Sequence, residues 1–117
     1  MLLGDYEAAA SSLRESLHLY NEVRNLWGTA FSLVGHTPLL TAQGRLAPAL
    51  HLAAAAGVTR QASGAVLLPF EKTIIDETRT SAYRQLGEAT THDAWREGEA
   101  MALDEAVVVA MALISDN

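Results

Sequence analysis

The sequence predicts an all-α fold of about six helices arranged as antiparallel pairs, and three observations lead to this prediction. Half of the 117 residues are hydrophobic, and the strong helix formers Ala and Leu make up much of that half. Apolar residues recur at intervals of three and four along most of the chain, which is the spacing of a helix with one buried face. The segment GDYEAAA at Gly4 has a counterpart of similar outline, GRLAPAL, at Gly44, which indicates a repeated helical unit of 40 residues.

The first helix is expected from Asp5 to Val23. Asp5 is the predicted N-cap, because a side-chain oxygen at that position accepts a hydrogen bond from the first turn. Asn25 is the predicted stop. The apolar face consists of Tyr6, Ala9, Ala10, Leu13, Leu17 and Tyr20. This segment is interpreted as the second helix of a pair whose first helix is absent, so it is expected to expose apolar surface.

The second helix is expected over residues 27–43 and is interrupted by a proline. Its apolar face consists of Trp27, Ala30, Phe31 and Val34. Because Pro38 lacks an N–H and clashes with the preceding turn, we expect a kink or a break near Thr37. Gly44 is expected to end this helix as a C′ glycine.

Residues 46–61 are predicted to form the third helix. Pro48 lies in its first turn, where a missing N–H costs little. The central stretch LHLAAAAG has small side chains, which permit close approach of a neighbouring helix. Gly64 and Pro69 then interrupt the pattern, so residues 62–69 are expected to form a loop.

The remaining three helices are predicted at residues 70–86, 88–98 and 104–114. Gly87 separates the first two, and Trp95 is the large apolar residue of the fifth helix. The run of valines at 107–109 would fit a strand by itself. The Ala and Met that follow, and the lack of a partner strand in the sequence, favour a helix.

The chain is predicted to form a single compact domain in three parts. Residues 1–61 form one and a half helical repeats, residues 62–69 the loop, and residues 70–117 a C-terminal helical cap. A single helix pair cannot bury its apolar face, whereas stacked pairs can. The second and third helices make the complete pair, and the tail helices cap the array.

Composition and charge argue against several classes of protein. The chain has no Cys, hence no disulfide or thiolate chemistry, which is compatible with a reducing cytoplasm. The opening MLLGDY lacks the basic flank and apolar run of a signal peptide, and the longest apolar run, residues 106–114, is too short to span a bilayer. We therefore expect a cytoplasmic protein without membrane contact.

The distribution of charge argues against direct binding of nucleic acid. The net charge is −6. Residues 1–70 carry four acidic and four basic side chains, and residues 71–117 carry ten acidic and four basic ones. A surface that neutralises phosphates needs clustered Lys and Arg, and the sequence offers no such cluster.

The sequence contains no recognisable catalytic, cofactor or metal site. The four histidines lack the spacing that places two metal ligands on one helix face. No glycine-rich nucleotide loop and no nucleophile elbow occurs. Glu88 and His92 are four residues apart, a spacing that fits a solvated pair better than a metal site. We expect a protein that is not an enzyme and has no cofactor.

Five residues are the candidates for a groove that binds a partner or a ligand. They are Tyr20, Trp27, Phe31, Arg60 and Trp95. The rings of the four aromatic residues would line a groove for a peptide or pack between helices. Their helical spacing is more typical of packing. The guanidinium of Arg60 would bind an acidic group of a ligand or form an ion pair with the acidic tail.

Three stretches carry a family resemblance that covers nearly the whole chain. In GDYEAAASSLRESLHLYNEVRNLWGTAFSL the matching positions are Gly4, Asp5, Tyr6, Glu15, Ser16, Leu17, Trp27 and Gly28. In AQGRLAPALHLAAAAGVTR they are Gly44, Arg45, Ala49 and Arg60. In the tail they are Leu68, Pro69, Glu71, Leu86, Gly87, Glu88, Ala94, Trp95, Glu97, Gly98, Leu103, Asp104, Glu105 and Ala106. The chain resembles the tetratricopeptide-like, maltose-activator-like repeat region of bacterial LuxR-family ATP-binding transcriptional regulators.

The resemblance implies a right-handed superhelix of helix pairs. It also implies a region that senses an inducer or a partner and controls a neighbouring ATPase and a DNA-binding domain. Neither domain is present in these 117 residues, so direct DNA binding is not expected.

Three hypotheses for function follow. The leading one is a non-enzymatic module for protein–protein interaction and regulation, since repeat arrays bind peptides or domains on a concave surface. The alternative is a small-ligand receptor with a pocket near Trp27, Arg60 and Trp95. A third hypothesis is a structural module that forms a homodimer through helix 1 or helix 6.

Overall fold

The computed structural model describes residues 3–23, 25–62, 64 and 67–115, and all regular structure within these ranges is helical. The six helices are α1 (Leu3–Glu22), α2 (Leu26–Ala42), α3 (Leu46–Ala62), α4 (Pro69–Leu86), α5 (Glu88–Ala100) and α6 (Leu103–Ser115). The predicted all-α class is therefore confirmed. The side chains of residues 3–7, 9–10 and 113–115 are outside the description, and with them the predicted contact residue Tyr6.

Four of the described helices pack around α3. The most extensive contact among the described helices joins α2 to α3, as expected for the complete pair, and α3 also packs against α4, α5 and α6. The last helix, α6, returns to contact α1 and α2. The result measures 38 × 37 × 25 Å with a radius of gyration of 13.1 Å. This pairwise packing is consistent with a helical-repeat fold.

The core is apolar and rich in small residues. The α3 residues 52–56 are all buried, together with Leu33 and Leu40 of α2 and Leu17 of α1. From α6 come the small buried side chains at positions 106, 107 and 110. Because alanines occupy four of the five positions 52–56, neighbouring helices approach the α3 backbone closely.

The α1 helix is covered on one side and exposed on another. The α2 and α6 helices pack against it and bury Leu17, whereas Leu19 of α1 and Val23 just after it remain exposed. These two residues are not members of the predicted apolar face, on which Leu17 is buried and Leu13 and Tyr20 are half-buried. The helix begins at Leu3, so Asp5 lies inside it and the predicted N-cap was wrong.

Asn25 follows the end of α1, as predicted, and also begins α2. Its side-chain Oδ1 accepts a hydrogen bond from the backbone N–H of Gly28 at 2.9 Å, which is the interaction of an N-cap. The side chain of Tyr20 lies directly over Gly28 and occupies the space that a Cβ at this position would need. Asn25 and Gly28 together set how closely α2 approaches α1.

Pro38 does not break α2, so of the predicted kink or break near Thr37 the break is wrong. The helix continues through Pro38 to Ala42. Proline has no N–H to donate to the carbonyl of Val34, but the Thr37 hydroxyl donates to that carbonyl at 2.8 Å. The side-chain hydroxyl therefore replaces the lost backbone donor.

The predicted glycine stops are confirmed. Gly44 and Gly87 have φ values of 77° and 84°, in the left-handed region that glycine adopts at helix ends. After α2, the N–H of Arg45 donates to the carbonyl of Leu40 at 2.8 Å and closes the last turn. The valines at 107–109 are helical, as predicted.

None of the helices within the described ranges combines the length and the apolar content needed to cross a bilayer.

Candidate functional site: an aromatic surface and an adjoining cleft

A buried ion pair joins the end of α3 to the start of α4. The Nη2 atom of Arg60 lies 2.5 Å from Oε2 of Glu71, and both side chains are almost completely buried. The other carboxylate oxygen of Glu71 accepts the backbone N–H of Leu68 at 3.0 Å. The pair therefore spans both ends of the α3–α4 connection. One of the two expectations for Arg60, an ion pair with the acidic tail, is confirmed.

Three aromatic rings extend outward from this ion pair. The guanidinium carbon of Arg60 lies 4.5 Å from the centroid of the Trp27 ring, a cation–π contact. Trp27 stacks on Phe31 with centroids 5.4 Å apart, and Phe31 meets Phe70 edge to face at 5.6 Å. We refer to Trp27, Phe31 and Phe70 as the aromatic surface.

The aromatic surface is about half exposed to solvent. Trp27 is 42% exposed and Phe70 is 49% exposed, while Phe31 between them is half-buried. The Arg60–Glu71 ion pair is buried, so the Arg60 guanidinium that contacts the Trp27 ring is held in place. The surface is thus an apolar area on a well-packed support.

Arg60 also lines a cleft of about 500 Å³ between α3, the start of α4 and the end of α5. Gly57 and Val58 of α3 line it, with Leu67 and Trp95 as further apolar walls. Lys72 and Glu99 also line it. Their side chains carry opposite charges and are exposed to solvent. We refer to it as the α3–α5 cleft.

The structure brings four of the five candidate groove residues together: Arg60 is at the centre, and Trp27, Phe31 and Trp95 lie around it. Trp27 and Phe31 lie on the aromatic surface, and Trp95 lies in the α3–α5 cleft. Tyr20 lies apart from both, packed on Gly28 between α1 and α2. Trp95 also packs on the core. The guanidinium carbon of Arg79 lies 4.6 Å from the centroid of its ring, a cation–π contact.

Several residues of the site were not among the sequence candidates. Glu71 could have been identified from the sequence. Leu68 is the residue before α4, and an acidic residue three positions later is typical of a capping box. Phe70 begins the predicted fourth helix, and nothing in its sequence neighbourhood indicates contact with Phe31. Gly57, Lys72 and Glu99 carry no local signal, since only the packing of α5 on α3 brings them to one cleft.

The Glu88–His92 pair is solvated. Its Oε1 and Nε2 atoms are 3.8 Å apart, both side chains are well exposed, and the imidazole meets the ring of Tyr83 edge to face. Nowhere in the described part of the chain do three His, Cys, Asp or Glu side chains gather as metal ligands would.

His36 is the buried titratable group of α2 and lies outside both sites. Its Nδ1 donates to the carbonyl of Ser32 at 2.6 Å, which leaves Nε2 as the acceptor of a neutral ring. Burial lowers the pKa of His36 below the usual 6.5, and the hydrogen bond to Ser32 opposes this shift in part. Within the described residues Nε2 has no hydrogen-bond partner.

Comparison with protein-family models, with curated proteins and with solved structures finds no match to this chain.

Proposed function

We propose that this chain is a non-catalytic helical-repeat module that binds a segment of a partner protein, within a cytoplasmic bacterial transcriptional regulator of the kind it resembles. The assignment to that family rests on the sequence resemblance. The binding role rests on one structural observation, the aromatic surface of Trp27, Phe31 and Phe70.

The aromatic surface has the properties of an interaction site. Aromatic side chains are enriched where protein partners bind, and those at the centre of an interface carry much of the binding energy. Trp27 and Phe70 each keep nearly half of their surface in water. The buried Arg60–Glu71 pair positions Trp27, so little side-chain freedom remains to be lost when a partner binds.

The charge of the helices α4 to α6 indicates the chemistry of the partner. The helices α4 to α6 expose many acidic side chains, namely Asp76, Glu77, Glu88, Asp93, Glu97, Glu99, Asp104 and Glu105. Their exposed basic side chains are Lys72, Arg84 and Arg96. A basic segment with an apolar anchor complements both features, because opposite charges accelerate encounter and an apolar side chain covers the rings.

The test is a binding titration with synthetic peptides. The probes are fluorescein-labelled 12-residue peptides with Leu and Phe anchors flanked by Lys and Arg, and a second set has Glu in place of the basic residues. We expect the basic set alone to bind, with an affinity that falls as salt is raised. The variant Phe70→Ala should weaken binding by about tenfold or more, as loss of an interface aromatic does.

Val108→Ala is the matched control. Val108 is an exposed apolar residue of α6, outside the aromatic surface, so its removal should leave peptide binding unchanged. Equal binding of the acidic peptides, or equal losses in the two variants, would overturn the proposal.

A further inference from the structure

Gly57 is a helix-interior glycine that lines open space. It lies within α3, where glycine costs stability relative to alanine because it gains more backbone freedom on unfolding. A Cβ added at this position meets no heavy atom within 4 Å. Packing against the described residues therefore does not explain the missing side chain.

The other helix-interior glycines whose surroundings are described have a packing reason. A Cβ on Gly98 would lie 2.6 Å from the carbonyl oxygen of His51, and one on Gly35 would lie 2.9 Å from Cδ2 of Leu13. At Gly28 the Tyr20 ring occupies the space. Gly57 differs because its missing side chain leaves room in the α3–α5 cleft, which it lines.

The cleft has a flat wall that is already ordered. Trp95 lies between the cleft and the core, and Arg79 makes a cation–π contact with its ring. Val58 and Leu67 add aliphatic surface. The volume of about 500 Å³ falls in the range of small-molecule sites, which are mainly apolar with a few polar groups that orient the ligand.

The polar groups of the cleft are one cation and one anion. Lys72 and Glu99 both line it, and their side chains form no ion pair with each other or with any other described residue. The third charge, Arg60, is balanced by Glu71. A ligand that satisfies Lys72 and Glu99 together carries a carboxylate and an ammonium group.

We infer that the α3–α5 cleft binds a free amino acid with an apolar or aromatic side chain. The side chain of the bound amino acid lies over Gly57 and against Trp95. Its carboxylate faces Lys72, and its ammonium group faces Glu99. The two sites share Arg60, which lines the cleft and contacts Trp27, but Phe31 and Phe70 of the partner site do not line the cleft.

The first test uses L-phenylalanine and L-leucine with the full chain. Calorimetric titration should show binding, and both amino acids should raise the melting temperature by mass action. Phenethylamine lacks the carboxylate and 3-phenylpropionate lacks the ammonium group, so each should bind about tenfold more weakly or worse than L-phenylalanine, as expected when one charged hydrogen bond is lost.

Lys72 provides a direct readout of occupancy. It is the single lysine of the sequence, so its side-chain amine is identified without ambiguity. Reductive methylation followed by mass spectrometry should show slower modification of Lys72 when L-phenylalanine is present. Modification of the N-terminal amine serves as the internal control.

Three variants separate binding from folding. Gly57→Leu fills the cleft without meeting described atoms near its Cβ, so it should keep the fold and lose amino-acid binding. Lys72→Met should weaken L-phenylalanine binding and leave phenethylamine binding unchanged. Phe70→Ala should leave both unchanged.

Two results would overturn the inference. One is no heat, no change in melting temperature and no protection of Lys72 at about 10 mM amino acid, ten times a millimolar Kd. The other is unchanged binding in Gly57→Leu. Peptide binding at the aromatic surface would stand in either case, because it is measured with different probes and a different variant.

Discussion

The contact between α3 and α5 is closed at one point and open at another, and a glycine marks each point. At the closed point Gly98 lies against the backbone of His51, and Nε2 of His51 is 2.9 Å from Oε2 of Glu97. At the open point Gly57 faces the α3–α5 cleft, and no atom of the described residues lies within 4 Å of an added Cβ. The same residue type thus permits close packing in one place and leaves space in the other, and only its neighbours distinguish the two.

The buried ion pair beside the open region gives the largest expected effect. Glu71→Ala removes the carboxylate that balances Arg60 and that accepts the N–H of Leu68. Breaking a buried pair by removing one partner costs about 3–5 kcal/mol, so the free energy of unfolding in urea should fall by that amount.

The double variant Arg60→Met, Glu71→Leu is the control for this prediction. Replacing both members of a buried pair by apolar residues is often neutral or stabilising, so much of the loss should be recovered. A double variant as unstable as Glu71→Ala would show that the loss comes from the loop contact at Leu68 and not from the unbalanced charge.

The closed point should not tolerate a methyl group. Gly98→Ala places a Cβ 2.6 Å from a backbone oxygen and 2.7 Å from a Cα atom of α3, neither of which moves without shifting a helix. Overpacking of this kind costs about 1–3 kcal/mol. Chemical denaturation should show the loss, and a stability equal to that of the original chain would mean that α5 can move away from α3 at no cost.

The buried core of α2 should respond to acid. Because burial lowers the pKa of His36 below 6.5, the unfolded chain binds a proton that the folded chain does not, in the interval between the two pKa values. Stability is therefore complete well above pH 6.5 and falls, by at most about 1.4 kcal/mol per pH unit, as the pH drops through that interval.

The measurement is urea denaturation at a series of pH values between 7 and 5. His36→Gln should flatten the slope that this residue contributes. A slope in His36→Gln identical to that of the original chain would contradict the assignment to His36.

The open point gives the smallest effect and one of opposite sign. Gly57→Ala adds a methyl group into empty space within α3, so it should raise the free energy of unfolding by about 0.5–1 kcal/mol through the unfolded state. Thermal unfolding of Gly57→Ala and Gly98→Ala side by side measures the contrast directly. Destabilisation by both would mean that the cleft closes in solution.

The local features of the sequence account for most of the helix ends. Gly44 and Gly87 were recognised because a left-handed residue after a helix is a property of the glycine itself. The break predicted near Pro38 does not occur, because the hydroxyl of Thr37 replaces the missing backbone donor. At the start of α1, Asp5 has the right residue type for an N-cap, but the helix extends beyond it to Leu3.

The site was less predictable than the helices. Trp27, Phe31, Arg60 and Trp95 were recognised as candidates because large aromatic and charged side chains are conspicuous in an Ala-rich sequence. Glu71 as the partner of Arg60, and Gly57 as the floor of a cleft, depend on residues from different helices. No pattern within one helix specifies which residue of another helix lies opposite.

By itself the sequence determined the helical class, the order of six helices and most of their ends, because propensity, apolar period and glycine geometry act over a few neighbouring residues. The tertiary structure alone decided that α6 returns to α1, that Glu71 meets Arg60, and that α3 and α5 touch at Gly98 and separate at Gly57. These features depend on the directions in which side chains from distant parts of the chain pack together, and packing is a property of pairs of surfaces.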